Sequence, residues 1–309
     1  LNDKENKLMP IIQYKNVRFK DGSLDVINYA NAIIMEYAKE GYDLTLRQLY
    51  YQFVARDLIA NSDKEYKRLG SIINDARLSG YIDWDAITDR TRPIRINSHW
   101  DNPQAIIESC SEQFRIDTRY DQPFYIEVWV EKDALVGVLE GICTKLDVPY
   151  FSCRGYVSQS SMWEASQRFI HQEKEFGKTT VLLHLGDHDP SGVDMSRDIQ
   201  SRLELFESQC AVKRIALTMK QIKQYSPPPN PAKLTDSRCN GYIYKYGRES
   251  WELDALEPRI ITQLITKEVG ELTETSQWEN MLQQQSKHRN ELKRVSARWN
   301  KVQKVINKP

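Results

Sequence analysis

Apolar residues recur at helical spacing from Ser23 to Lys39, and Gly41 ends the run. Thr45 is placed to cap a second helix that the pattern carries to about Ile59. Asn61 or Ser62 opens a third, with Tyr66, Leu69, Ile73 and Ala76 one turn apart and Gly80 as the stop. A connecting helix and linker follow, from about Ser98 to Arg119. The pattern then changes. Phe124 to Val130 reads as a strand, Leu135 to Leu146 as a helix, and the apolar run Leu182 to Leu185 as a second, buried strand. This α/β pattern continues to about Leu217. Ser226-Pro227-Pro228-Pro229-Asn230-Pro231 suits neither a helix interior nor a central strand, and predicts an extended surface segment. Trp251 to Leu256 opens another helical region, and Lys287 to Lys308 is helical in pattern. The expected fold is therefore an α/β domain with a separate, mainly helical domain before it. The boundaries fall at 1–97, a linker at 98–120, an α/β domain with its extension at 121–275, and a basic C-terminal helix at 276–309.

The third helix leads, through Tyr81 to Ile87, into Asp89-Arg90-Thr91-Arg92-Pro93-Ile94-Arg95. Helices followed by a short arginine-bearing hairpin make the pattern of a winged helix-turn-helix, whose third helix enters the major groove while the wing touches backbone. Lys67, Arg68 and Arg77 on the helix, and Arg90, Arg92 and Arg95 on the wing, are the expected contacts to double-stranded DNA. Asp83, Asp85 and Asp89 dilute the wing, so a solvated charged face in a small helical domain is the competing expectation.

Charge changes this picture in one respect. The chain has 309 residues, with 43 basic and 43 acidic side chains. A DNA-binding protein of no net charge must segregate its cations locally. The tail does so, with Lys287, Arg289, Lys293, Arg294, Arg298, Lys301, Lys304 and Lys308 against Glu291. Five cysteines show no C-x-x-C pair, which argues against a zinc site and suits a reducing, cytoplasmic setting. No apolar run is long enough to span a membrane.

The chemistry concentrates at Leu182-Leu183-His184-Leu185-Gly186-Asp187-His188-Asp189-Pro190-Ser191-Gly192. Residues two apart on an extended backbone point the same way, so Asp187 and Asp189 are expected to project together from a strand end, with His188 turned away. Two converging carboxylates repel unless a cation sits between them. A hard divalent ion, Mg²⁺ with Mn²⁺ as the substitute, suits such oxygen ligands.

Upstream, Val130-Glu131-Lys132-Asp133-Ala134 follows the first strand. A strand ending in an acidic residue, a helix, then a strand ending in D-x-D-P-x-G resembles the Toprim domain of the topoisomerase VI A subunit and its relative, the meiotic double-strand-break transesterase. Arg154-Gly155-Tyr156 is similar to the Gly-Tyr after that domain's second strand. Arg47-Gln48-Leu49-Tyr50-Tyr51 resembles the family's tyrosine motif, although the family usually has an acidic residue where this chain has Gln48. The resemblance implies a Toprim, Rossmann-like parallel sheet after a winged helix. It implies metal ligands at Glu131, Asp187 and Asp189, a nucleophile at Tyr51 assisted by Arg47, and catalytic involvement of Glu131. It further implies a homodimer in which the tyrosine of one protomer serves the metal site of the other, and a separate ATPase subunit for strand passage. Tyr51 is then expected to be partly exposed on a basic groove. Val54, Ala55 and Leu58 lie on its side of the helix, so a packed, inert Tyr51 remains open. The expected activity is Mg²⁺-dependent DNA cleavage through a phosphotyrosyl link. The alternatives are a hydrolytic winged-helix/Toprim nuclease of the phage- or plasmid-defence type, and a DNA-binding protein without catalysis.

Overall fold

The computed structural model describes residues 11–87 and 97–306. Three helices come first: α1 (Asp21–Lys39), α2 (Leu46–Ala55) and α3 (Asp63–Leu78). α1 buries Val26, Ile27, Ala30, Ile33 and Tyr37, one stripe of an amphipathic helix. Thr45 and Gln48 close α2 with a reciprocal capping box, and Ser62 caps α3 through the Glu65 N–H. α2 stops at Ala55, earlier than its apolar pattern, because Asp57 turns left-handed at φ 54°. The arginine-bearing hairpin expected at 89–95, with Arg90, Arg92 and Arg95, lies outside the described residues. A mainly helical N-terminal unit is therefore what the described residues show.

α4 (Pro103–Gln113) bridges to the α/β unit: β1 (Phe124–Val130), α5 (Val136–Leu146), β2 (Tyr150–Ser152), α6 (Gln159–Phe176), β3 (Thr179–Leu185), α7 (Pro190–Leu205) and β4 (Ala211–Ala216). All pairings in this sheet are parallel, in the order β2-β1-β3-β4. Ile126, Val128 and Val130 of β1 and Val181, Leu183 and Leu185 of β3 face one core with residues of α5. Trp129 and Leu182 face the opposite core with Met162 and Phe169 of α6 and Met195 and Ile199 of α7. Helices thus cover both faces, which is why these strands are buried almost continuously.

Next come α8 (Met219–Tyr225), β5 (Asn230–Pro231), α9 (Cys239–Tyr246), β6 (Glu249–Ser250), α10 (Pro258–Glu271), α11 (Thr275–Ala297) and α12 (Trp299–Ile306). Only the end of the proline segment, Asn230–Pro231, is a strand, antiparallel to β6; Ser226 is left-handed, and Pro227 and Pro228 are buried where a surface segment was expected. Residues 251–256, expected to start a helix, make a short 3-10 turn at Leu253–Ala255 before α10 begins. The expected single tail helix is two, α11 ending at Ala297 and α12 starting at Trp299, and α11 is docked: Arg289 Nε donates to the Phe114 carbonyl at 2.8 Å, and Gln285 Oε1 accepts from the Ile116 N–H at 3.1 Å. No helix among the described residues is long and apolar enough to cross a membrane.

Candidate active site

The chain reverses direction across the sheet between β1 and β3, since β2 lies on one side of β1 and β3 on the other. A crevice beyond the carboxyl ends of the strands at such a switch point is where open α/β sheets bind ligands. Glu131 leaves β1 there, and Asp187 and Asp189 leave β3. The two segments are stitched together: the Glu131 N–H donates to the Leu185 carbonyl at 2.9 Å, and the Asp187 N–H to Glu131 Oε2 at 2.9 Å. Asp189 caps α7, accepting from the Gly192 N–H at 2.6 Å and the Ser191 hydroxyl at 3.0 Å, with Pro190 at the first helical position. A Cβ on Gly192 would overlap the Asp187 carbonyl, so D-x-D-P-x-G is a strand end and helix start folded back on itself. Arg214 of β4 binds this loop from below. Its guanidinium donates to the carbonyls of Gly186 (2.8 Å), Asp187 (2.5 Å) and Gly192 (2.8 Å), and to the Ser196 hydroxyl at 3.1 Å. His188 is buried with its Nδ1 2.8 Å from the Tyr242 hydroxyl, among Tyr242, Tyr246 and Trp251.

Sequence reasoning missed a second acidic pair. His188 and Trp251 exchange backbone hydrogen bonds at 2.8 and 2.9 Å, which lays the turn after β6 across the site. That turn supplies Glu252 and Asp254. The Leu253 N–H donates to Asp187 Oδ1 at 2.7 Å. Lys132, the residue after Glu131, places its ammonium among Asp187 (3.2 Å), Asp254 (3.0 Å) and Glu252. A signal existed: Trp251-Glu252-Leu253-Asp254 has the same two-residue acidic spacing as Asp187 and Asp189.

The N-terminal unit closes the other wall. Arg47 of α2 pairs with Glu252 at 3.4 Å and Asp254 at 3.5 Å, and donates to the Tyr51 hydroxyl at 3.3 Å. Tyr51 is 2% exposed, against the expectation of a partly exposed ring on a basic groove. The reason is that α2 is covered on both sides, by α1 and α3 and by the 253–255 turn, whose Ala255 joins the same apolar cluster. Gln48 is buried as the capping-box partner of Thr45, accepting from the Thr45 N–H at 2.9 Å, which accounts for its place in the motif. Tyr51 still reaches a cleft of about 180 Å³ lined also by Arg47, Tyr66, Asp187, Asp189, Lys233 and Glu252. Asp187 and Asp189 of this cleft belong to the same chain as Tyr51.

Electrostatics follow from burial. It pushes the Tyr51 phenol up to about 12, with Asp254 and Glu252 adding and Arg47 opposing. It also raises Asp187 and Glu131 above the usual carboxylate range. For Lys132, burial works against the charge but Asp254, Asp187 and Glu252 outweigh it, so its pKa is raised. Burial likewise acts on Glu252, and there Lys132 and Arg47 prevail and lower its pKa.

Among the described residues no three His, Cys, Asp or Glu side chains are already gathered as metal ligands. Glu131, Asp187 and Asp189 each spend an oxygen on a backbone N–H. Glu131 Oε1 and Asp189 Oδ2 have no hydrogen-bond or ion-pair partner among the described residues. Five carboxylates share Lys132, Arg214 and Arg47, and Lys233 adds a fourth cation beside Glu252. Donor chemistry and charge deficit both fit a hard divalent cation.

The expected DNA contacts on α3 divide. Lys67 and Arg68 are exposed, Arg68 pairing with Glu65 at 2.7 Å. Arg77 is only half-exposed and turned inward: it donates to the Trp84 carbonyl at 2.5 Å and lies 4.6 Å over the Trp84 ring. Comparison with protein-family models, with curated proteins and with solved structures finds no match to this chain.

Proposed function

We propose that the chain cleaves a DNA phosphodiester with Tyr51 as nucleophile, at a site where Glu131, Asp187 and Asp189 hold Mg²⁺ or Mn²⁺. The observation that carries this reading is the shared cleft: Tyr51 and Arg47 line one wall, Asp187 and Asp189 the other. The phenol oxygen bonds phosphorus, the P–O bond to the leaving sugar oxygen breaks, and the phenol proton ends on that oxygen. One diester replaces another, so the step needs no external energy and is reversible. A divalent ion, when bound, neutralises phosphate charge and favours the leaving oxygen. Arg47 holds the phenol oxygen and carries charge for the phosphate.

A second reading, hydrolysis by a metal-activated water, draws on the near-complete burial of Tyr51 and its high pKa. Tyr51→Phe separates the two. Loss of cleavage together with loss of a covalent DNA–protein adduct on a denaturing gel supports the tyrosine route. Cleavage that persists without an adduct assigns the chemistry to water. Tyr50→Phe is the comparison, although the Tyr50 hydroxyl accepts from the Ser62 N–H at 2.7 Å and donates to Asn61 at 2.9 Å. It should lose some stability, roughly 1–3 kcal/mol, and keep cleavage at temperatures where it is folded.

A further inference from the structure

We infer that the composite site is complete within one chain: Tyr51 serves the carboxylates of its own α/β unit, so a single copy cuts one strand without a partner's tyrosine. This rests on the tyrosine reading above and goes beyond it, because the resemblance implied a site shared between two protomers.

A chain of contacts links Tyr51 to Asp187 within one copy. The Tyr51 hydroxyl accepts from Arg47, Arg47 pairs with Glu252 and Asp254, these hold Lys132, and Lys132 pairs with Asp187. Asp254 makes the arrangement hard to undo. Its side chain is fully buried, and Lys132 and Arg47 are its ion-pair partners. Its Oδ2 already lacks a hydrogen bond among the described residues, and only the Arg47 guanidinium answers it, at 3.5 Å. Moving α2 away to serve another copy would strip a cation from a buried carboxylate, a costly rupture.

Contacts outside the charged cluster hold the same docking. Asn61 Nδ2 donates to the Pro229 carbonyl at 2.9 Å and to Asn230 Oδ1 at 2.8 Å. The Tyr42 hydroxyl donates to Thr262 Oγ1 at 3.1 Å. Ala255 is buried in one apolar cluster with Tyr50 and Tyr51. One nucleophile and one carboxylate set per chain let each copy cut one strand by itself.

Two arms test this with the full chain. In the first, Tyr51→Phe and Asp189→Ala proteins are co-expressed and assayed as a mixture on supercoiled plasmid. A cis site leaves the mixture no more active than the two variants separately. Restored cleavage, in which one copy's Tyr51 meets the other's Asp189, overturns the inference while leaving the tyrosine reading intact. The second arm needs no activity. In a Cys110→Ser background, since Cys110 is the exposed cysteine, Asn61→Cys with Asn230→Cys is oxidised at low protein concentration. A bridge within one chain, seen as a monomer band that shifts on reduction, upholds the docking. A covalent dimer, or no bridge at all in folded protein, overturns it. If the wild type does not cleave DNA, or Tyr51→Phe still does, the tyrosine reading fails and the second arm alone decides whether Tyr51 faces its own carboxylates.

Discussion

Gly192 lies against Glu131: a Cβ built on Gly192 would come 3.1 Å from Glu131 Oε2 as well as overlapping the Asp187 carbonyl. The last residue of the Asp-Pro-Ser-Gly turn is thus the floor beneath the first carboxylate. Its backbone is helical, so the requirement is space and not an unusual φ.

Gly192→Ala should therefore push α7 away from the β1 end. Overpacking of this kind costs about 1–3 kcal/mol, read as a lower urea midpoint. Divalent-ion affinity measured by calorimetry should fall as Glu131 is displaced. Gly141→Ala is the control, since a Cβ there meets nothing within 4 Å. A Gly192→Ala protein as stable as the Gly141→Ala control would contradict the geometry at this turn.

Arg77 and Lys67 should behave differently although both were read as DNA contacts. Arg77 ties α3 to the turn at residues 84–87, donating to the Trp84 carbonyl and, at 3.4 Å, to that of Ile87. Arg77→Ala should cost roughly 1.5–3 kcal/mol of stability, the range for hydrogen bonds to a charged group. Lys67 is exposed, and Lys67→Ala should leave the melting temperature unchanged. If α3 lies on DNA, Lys67→Ala should lower the log–log salt slope of binding by about 0.9. A salt slope unchanged in Lys67→Ala and Arg68→Ala together moves the interface off this face of α3.

Much of this was legible because it rests on local rules. Helix stripes, the Thr45 and Ser62 caps, the buried strands and the carboxylates at the ends of β1 and β3 follow from periodicity and spacing. What failed was non-local. The helix face already allowed a packed Tyr51, but the turn some two hundred residues later that completes its burial is written in no helical wheel. Glu252 and Asp254 were invisible as site residues because their distance from Asp187 is set by the His188–Trp251 bridge. Arg77 carried the right charge on the outward face, but a tryptophan and a carbonyl seven residues on captured it first.

Cysteine reactivity checks the packing of the α/β core. Cys110 is exposed, whereas burial pushes the thiols of Cys143, Cys153 and Cys210 up to about 12. Iodoacetamide needs the thiolate. At mildly alkaline pH, mass spectrometry should find Cys110 modified first and the other three unmodified until urea unfolds the chain. Rapid native labelling of Cys153 or Cys210 would mean the face under α6 and α7 is open.

The last prediction concerns Lys132, the cation among Asp187, Glu252 and Asp254. Lys132→Met keeps the length of the side chain and removes the charge. It strands a fully buried Asp254 with Arg47 alone. Breaking a buried pair by removing one partner costs about 3–5 kcal/mol, so the urea midpoint should drop sharply. Adding Asp254→Asn should recover part of the loss, because the second change removes the stranded charge. The pH dependence has a definite sign. Stranded carboxylates in the variant have pKa values raised above their unfolded values, so ionising them opposes folding, and that penalty disappears as pH falls through the raised values. The gap in midpoint between wild type and Lys132→Met should therefore narrow as the pH is lowered through the carboxylate range. Mg²⁺ should raise the midpoint of Lys132→Met more than that of the wild type, since a divalent ion that binds only the folded state stabilises it by mass action. A Lys132→Met protein with an unchanged midpoint, or a gap that widens in acid, would show that the ammonium does not sit among these three carboxylates.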